Sequence, residues 1–171
     1  LTVLLVEKMP FPRPKVCGAC LNPSALAALD AMRLSHLPRQ LHAQPLDRFD
    51  WRAGRHRLTI PLTGHAAVSR DAFDEALMRS AQESGASFLP NTAAVRLDGD
   101  AMERTLWVQR LDGLRPVRAR LVVAASGLNH GWLRDEPDCV AVPMTDSRVG
   151  LGATVDLLDA VPIGTISMLT A

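Results

Sequence analysis

The sequence predicts an α/β fold, and three observations lead there. Residues 1–6, "LTVLLV", form an unbroken apolar run with β-branched members, the pattern of a buried parallel strand, and Glu7 stands at its C-terminal end. Two helices carry clear start signals, at Asn22-Pro23 and at Ser69. A second fully apolar run, 121–125, reads as the central strand of a sheet.

Between these anchors the elements follow in order. Pro10, Pro12 and Pro14 exclude both helix and sheet after the first strand. The first helix is expected to reach about Met32, with Leu26, Leu29 and Met32 on one face. Residues 36–54 read as irregular and polar. "HRLTIPL" alternates like a strand, and Pro61 marks it as an edge. The second helix covers 70–84, with Phe73 and Leu77 inward and Gly85 as its stop. "AAVRLDG" and "RTLWVQR" are strands joined by a turn at Gly99-Asp100, and "ARLVVAAS" is the third of the group, ending at Ser126-Gly127. "RVGLGATVDL" and "GTISMLTA" return to a β-like pattern. The chain opens and closes inside strand-like stretches, which points to a fragment.

Composition narrows the function. The chain has 171 residues, 47% of them hydrophobic, enough for a real core and too apolar for disorder. A net charge of +1, from 19 basic and 18 acidic residues, lacks the basic excess that binding to nucleic acid requires. No apolar run reaches the length of a membrane span, and no leader segment is visible. Three cysteines at scattered spacing do not make a disulfide framework, so a reducing, cytoplasmic setting is expected. His36, His42, His56, His65 and His130 are scattered and read as surface residues.

"KVCGAC" poses the main chemical question. A thioredoxin-like pair needs its first cysteine at a helix N-terminus, where the dipole lowers the thiol pKa. Cys17 lies five residues before the helix cap Asn22, and three prolines separate it from the strand. A zinc site needs four ligands, and no second CxxC or HxxxH supplies them. A tight loop around Gly18 with packed small residues is the strongest reading from local pattern alone.

The neighbouring residues add another. "VLLVEK…FPRPKVCGACLNPSALAAL" resembles the flavoprotein family of geranylgeranyl reductases, flavin-dependent halogenases and p-hydroxybenzoate hydroxylase-like enzymes. Its reductase-like branch carries a K-x-C-G-[GE]-x-L-x-P element, matched here by Lys15, Cys17, Gly18, Leu21 and Pro23, with Ala19 departing from the pattern. "VSRDAFDEALMRS" resembles that family's R-x-x-F-D-x-x-L helix. "RARLVVAASGLNHGWLR" resembles the strand leading into its Asp-Gly motif, with Ser126 in place of the Asp and Gly127 kept.

The resemblance implies a Rossmann-like FAD-binding domain with an inserted mixed β-sheet substrate domain, incomplete at both ends. The FAD-binding parts would be 1–42 and 67–138, and the substrate-domain parts 43–66 and 139–171. The glycine-rich phosphate turn would precede Leu1. It further implies FAD as cofactor, NAD(P)H as a candidate reductant and a small, apolar substrate, with peripheral membrane contact if that substrate is a lipid. Glu7 would accept ribose hydroxyls, and Lys8 would lie near the adenosine. Lys15 would face a phosphate, and Cys17 and Gly18 the isoalloxazine ring. Arg70 would meet the cofactor's anionic part, and Ser126 and Gly127 would border it. Each has a plainer alternative: a solvated strand-end carboxylate for Glu7, surface lysines for Lys8 and Lys15, a tight loop with no ligand for Cys17 and Gly18, an ion pair with Asp74 for Arg70, a simple turn for Ser126-Gly127. No catalytic residue and no metal ligand is assigned. Reductase-type chemistry is the first functional expectation. Oxygen-dependent hydroxylation is the alternative, and a truncated chain that does not hold FAD is the second. Halogenation is disfavoured because the W-x-W-x-I-P segment is not found.

Overall fold

The computed structural model describes residues 1–127, 131–139, 146, 151, 153 and 162–170. In chain order its elements are β1 (Leu4–Val6), β2 (Cys20–Leu21), α1 (Pro23–Ala31), α2 (Leu37–Gln40), β3 (Gln44–Ala53), β4 (His56–Ala67), α3 (Arg70–Glu83), β5 (Ser87–Leu89), β6 (Ala93–Gly99), β7 (Arg104–Arg110), β8 (Gly113–Ala119) and β9 (Thr165–Thr170). Single helical turns occur at Gly131–Leu133 and Pro137–Cys139. The chain divides into two compact units, Leu1–Arg13 with Met78–Val149, and Pro14–Leu77 with Gly150–Ala171. The boundary falls within α3.

In the first unit, β1 pairs in parallel with β5, with Leu4 opposite Ser87 and Val6 opposite Leu89. The opening apolar run is therefore a parallel strand, as its pattern predicts. It is less buried than expected: Leu4 is 38% exposed. The reason is that β1 has one partner only among the described residues. The same unit contains the antiparallel meander β6-β7-β8. Val108, on the middle strand, is 1% exposed and is among the best-covered side chains. Gly99 takes φ +101° at the expected turn, and the Asp100 carboxylate closes it by accepting from Met102 N and Glu103 N.

The third strand of this meander is not the expected one. β8 is "GLRPVRA"; residues 121–126 form no strand, and Leu121 and Val123 are 77% and 78% exposed. An apolar run becomes a central strand only when strands flank it, and none does so among the described residues.

The second unit holds a mixed sheet of order β2-β4-β3-β9, in which β3 and β9 run parallel and the other pairs antiparallel. A mixed sheet was expected, but β3 was not, since 36–54 reads as irregular. The strand is rich in charge, and pairing on both sides makes it a strand despite that. Its Asp50 is buried, with Oδ1 accepting from Thr59 and Oδ2 from Arg57 on β4. Pro61 lies where β4 has β3 alone as partner, the edge setting it requires. α1 starts as predicted: Asn22 Oδ1 accepts from Ala25 N at 2.8 Å, Pro23 is the first helical residue, and Leu29 is the buried contact of its face. Met32 is exposed instead. Gly85 ends α3 at φ +95°. Phe73 and Leu77 are half-buried, and α3 has no fully buried residue.

His36, His42 and His56 are exposed and His65 is half-buried, whereas His130 lies outside the described residues. The β-like reading of "GTISMLTA" corresponds to β9; that of "RVGLGATVDL" lies largely outside the described residues. Among those described, no helix is long and apolar enough to cross a membrane.

Candidate functional site

Four of the sequence-predicted site residues meet in the second unit. The proline-rich segment cannot form helix, and the chain runs without helix or strand to Ala19. There it is fastened to β4: Val68 N donates to Ala19 O at 2.9 Å, and Cys20 and Leu21 pair with Ala67 and Ala66. This fastening carries the "KVCGAC" loop to the first turn of α3, where Arg70 stands. Arg70 Nη1 lies 3.5 Å from Cys17 Sγ, and Ala19 N donates to the same sulfur at 3.4 Å. Arg70 Nε donates to Asp74 Oδ1 at 2.6 Å, and Lys15 Nζ donates to Asp74 Oδ2 at 2.7 Å. Two cations thus share one carboxylate, and the cluster keeps one positive charge in excess.

The electrostatics follow from those contacts. The Ala19 N–H and then Arg70 lower the Cys17 thiol pKa, outweighing slight burial. Burial raises that of Cys20, and the charge of Cys17 adds to the rise. Burial works against ionisation of Asp74, but hydrogen bonds from Arg70 and Lys15 prevail and hold its pKa below the usual value. The Arg70–Asp74 ion pair anticipated from the sequence is present. The contact of Arg70 with Cys17 was not anticipated, because 53 residues separate the two. Gly18 is exposed, and a Cβ there would meet nothing within 4 Å.

The other predicted site residues belong to the first unit. Glu7 continues the β1 ladder, donating from its N to Leu89 O and accepting from Thr92 N at its carbonyl. Its side chain is engaged locally: Oε1 accepts from Met9 N at 3.0 Å and lies 3.5 Å from Arg13 Nε. Lys8 is exposed. Ser126 Oγ accepts from Trp132 Nε1 at 3.3 Å, and Gly127 has φ +70° with open space beside it. Among the described residues no group of acidic, histidine or cysteine side chains is arranged to hold a metal.

No family model matches the chain, and no curated protein matches it. Solved structures do. The flavin-dependent brominase Bmp2, as a triple mutant, superposes with a TM-score of 0.66 at 22% identity, over 78% of this chain and 35% of the brominase. Aklavinone-11 hydroxylase, solved with FAD and aklavinone, gives 0.63 at 20% identity over 74% of this chain and 28% of its own. The p-nitrophenol 4-monooxygenase PnpA from Pseudomonas putida DLL-E4 gives 0.59 at 17% identity, over 70% and 33%. The chain has the fold of FAD-dependent monooxygenases and halogenases. It spans about a third of the length of these proteins. The α/β flavoprotein fold expected from the motifs is thus present.

Proposed function

We propose that the chain forms part of an FAD-dependent oxidoreductase of the monooxygenase type acting on a small organic molecule. The observation that carries this reading is the fold, shared over 70–78% of the chain with flavin-dependent enzymes. The residues present fit such a cofactor. The loop around Gly18 leaves open space for a planar ring. The Lys15–Asp74–Arg70 cluster beside it has a positive excess suited to a cofactor that carries negative charge. When bound, FAD would supply the redox chemistry, with NAD(P)H as reductant. Cys17 and Gly18 would border the ring, and Lys15 and Arg70 would offset its charge. Glu7 would accept ribose hydroxyls at the end of β1, with Lys8 near the adenosine, and Ser126-Gly127 would border the cofactor. Reductase-type chemistry rests on the K-x-C-G element alone.

The test is calorimetric titration with FAD of the chain produced together with its flanking coding sequence, as wild type and as Gly18→Val. Open space at Gly18 lets valine fold normally while covering the surface a ring would need. FAD binding should weaken by about tenfold or more, equivalent to about 1.4 kcal/mol, with unchanged thermal stability. Oxygen-dependent NAD(P)H oxidation should rise with aromatic substrates. If neither protein binds FAD, the chain is a non-catalytic remnant. If Gly18→Val binds as wild type does, Gly18 does not face the ring.

A further inference from the structure

The second cysteine of the loop has no part in the flavin reading. We infer that Cys17 and Cys20 form a peroxide-sensitive dithiol, in which Cys17 is the attacking thiolate and Cys20 resolves it to an intramolecular disulfide.

The thioredoxin arrangement is absent, because Cys17 is at no helix N-terminus and Cys20 begins β2. A different cation replaces the dipole. Arg70 reaches the Cys17 sulfur through Nη1 at 3.5 Å while its Nε is held on Asp74, so the guanidinium is fixed in place. Asp74 cannot cancel it fully, since it also takes Lys15 at 2.7 Å. One positive charge remains, and it favours the thiolate form of Cys17. The Ala19 N–H supplies a further donor to that sulfur. Such an electropositive and exposed setting is where reactive thiolates occur. Arg70 lowers and Asp74 raises the Cys17 pKa, the charge of Cys17 in turn acts on Cys20, and the net downward shift at Cys17 agrees with this geometry. Cys20 is exposed, its Sγ–H donating to Gly18 O at 2.8 Å. Both sulfurs therefore rest on the peptide groups of one short turn, whose Ala19 takes φ +54°.

The chemistry balances with hydrogen peroxide as the oxidant. The Cys17 thiolate attacks one peroxide oxygen and the O–O bond breaks. Sulfur is oxidised to the sulfenic acid, and hydroxide leaves and takes a proton to become water. Cys20 then attacks the Cys17 sulfur. The S–O bond breaks, a second water departs with the Cys20 proton, and the disulfide remains. Two thiols and one peroxide yield one disulfide and two waters.

The experiment uses the full 171-residue chain in a Cys139→Ser background, which removes the remaining exposed thiol. Hydrogen peroxide is added, and the tryptic peptide spanning 16–33, which holds both cysteines, is weighed. Wild type should lose two hydrogens in that peptide. Cys20→Ser should instead carry a dimedone adduct on Cys17, and Cys17→Ser should stay unmodified at Cys20. Without peroxide, iodoacetamide at neutral pH should alkylate Cys17 about tenfold faster than Cys20. Arg70→Gln should slow that reaction and move its pH midpoint upward, a change that a purely structural role for Arg70 would not produce. Equal alkylation of the two cysteines, or a wild-type peptide that accumulates sulfinate without the disulfide, overturns the inference.

Discussion

At the scale of the residue, Asp74 organises the cluster. Its side chain is 11% exposed, and both oxygens are bonded to cations. Replacing it by Asn would leave Lys15 and Arg70 facing each other. The expected cost at neutral pH is about 1 kcal/mol, kept low because Arg70 is 40% exposed and solvent screens the pair. Because the folded pKa of Asp74 lies below its unfolded value, this stabilisation is complete above the unfolded value and is lost as pH falls through the folded one. Urea unfolding of wild type and Asp74→Asn should therefore differ at pH 7 and converge in strong acid; a constant gap would deny the linkage. Glu7 offers a second test. From the sequence its plainer reading is a solvated strand-end carboxylate, which contributes little to stability. Its contacts with Met9 N and Arg13 alter that expectation. Glu7→Ala should cost about 0.5–1 kcal/mol without FAD and a further 10- to 150-fold in FAD affinity, the equivalent of about 1.5–3 kcal/mol. Calorimetry and thermal unfolding of the chain produced together with its flanking coding sequence, measured on the same samples, separate the two effects.

At the scale of the element, the β6-β7 hairpin shows how one turn determines a register. Gly99 is at φ +101°, and a Cβ added there would lie 2.3 Å from Glu103 O. Backbone, unlike a side-chain tip, cannot move aside without opening the turn. Gly99→Ala should destabilise the chain by about 2–3 kcal/mol, since strain and a steric clash act together. Gly85, at φ +95° with open space around it, makes the comparison: Gly85→Ala should cost about 1 kcal/mol. Equal losses in chemical denaturation would mean that the turn yields more easily than its geometry indicates. On the outer face of the same hairpin, Trp107 Nε1 donates to Asp98 at 2.8 Å while Arg96 covers the indole at 5.2 Å.

At the scale of the whole molecule, the two units differ in construction, one with a short parallel pair and a meander, the other with a four-stranded mixed sheet. Residues 121–125 leave Leu121 and Val123 exposed in the first. Apolar surface of this kind attracts hydrophobic probes. Leu121→Lys with Val123→Lys should reduce binding of a fluorescent apolar dye without changing the unfolding midpoint. A fall in stability would mean that the segment already packs against the unit. Elsewhere in the molecule, the chain has no G-x-G-x-x-G element, the turn that brings a pyrophosphate to helix N–H groups. Alone, it should take up FAD well below one equivalent. A stoichiometric flavin spectrum would place the main contacts with the cofactor within these residues.

The sequence by itself determined what depends on near neighbours. Asn22-Pro23 starts α1, Gly85 stops α3, and Gly99-Asp100 turns the hairpin, because caps and turns are satisfied within a few residues. The flavoprotein fold was legible for a related reason: three short motifs in order carry its pattern. Tertiary structure decided the rest. β3 is a strand because β4 and β9 flank it and because Thr59 and Arg57 satisfy Asp50, information that its polar sequence does not hold. Residues 121–125 have the composition of a central strand and are not one, since a strand exists only in its pairing. The setting of Cys17 likewise depends on placement. Its cation lies 53 residues away and is delivered by the register of β2 on β4, and no local spacing encodes a contact made by folding.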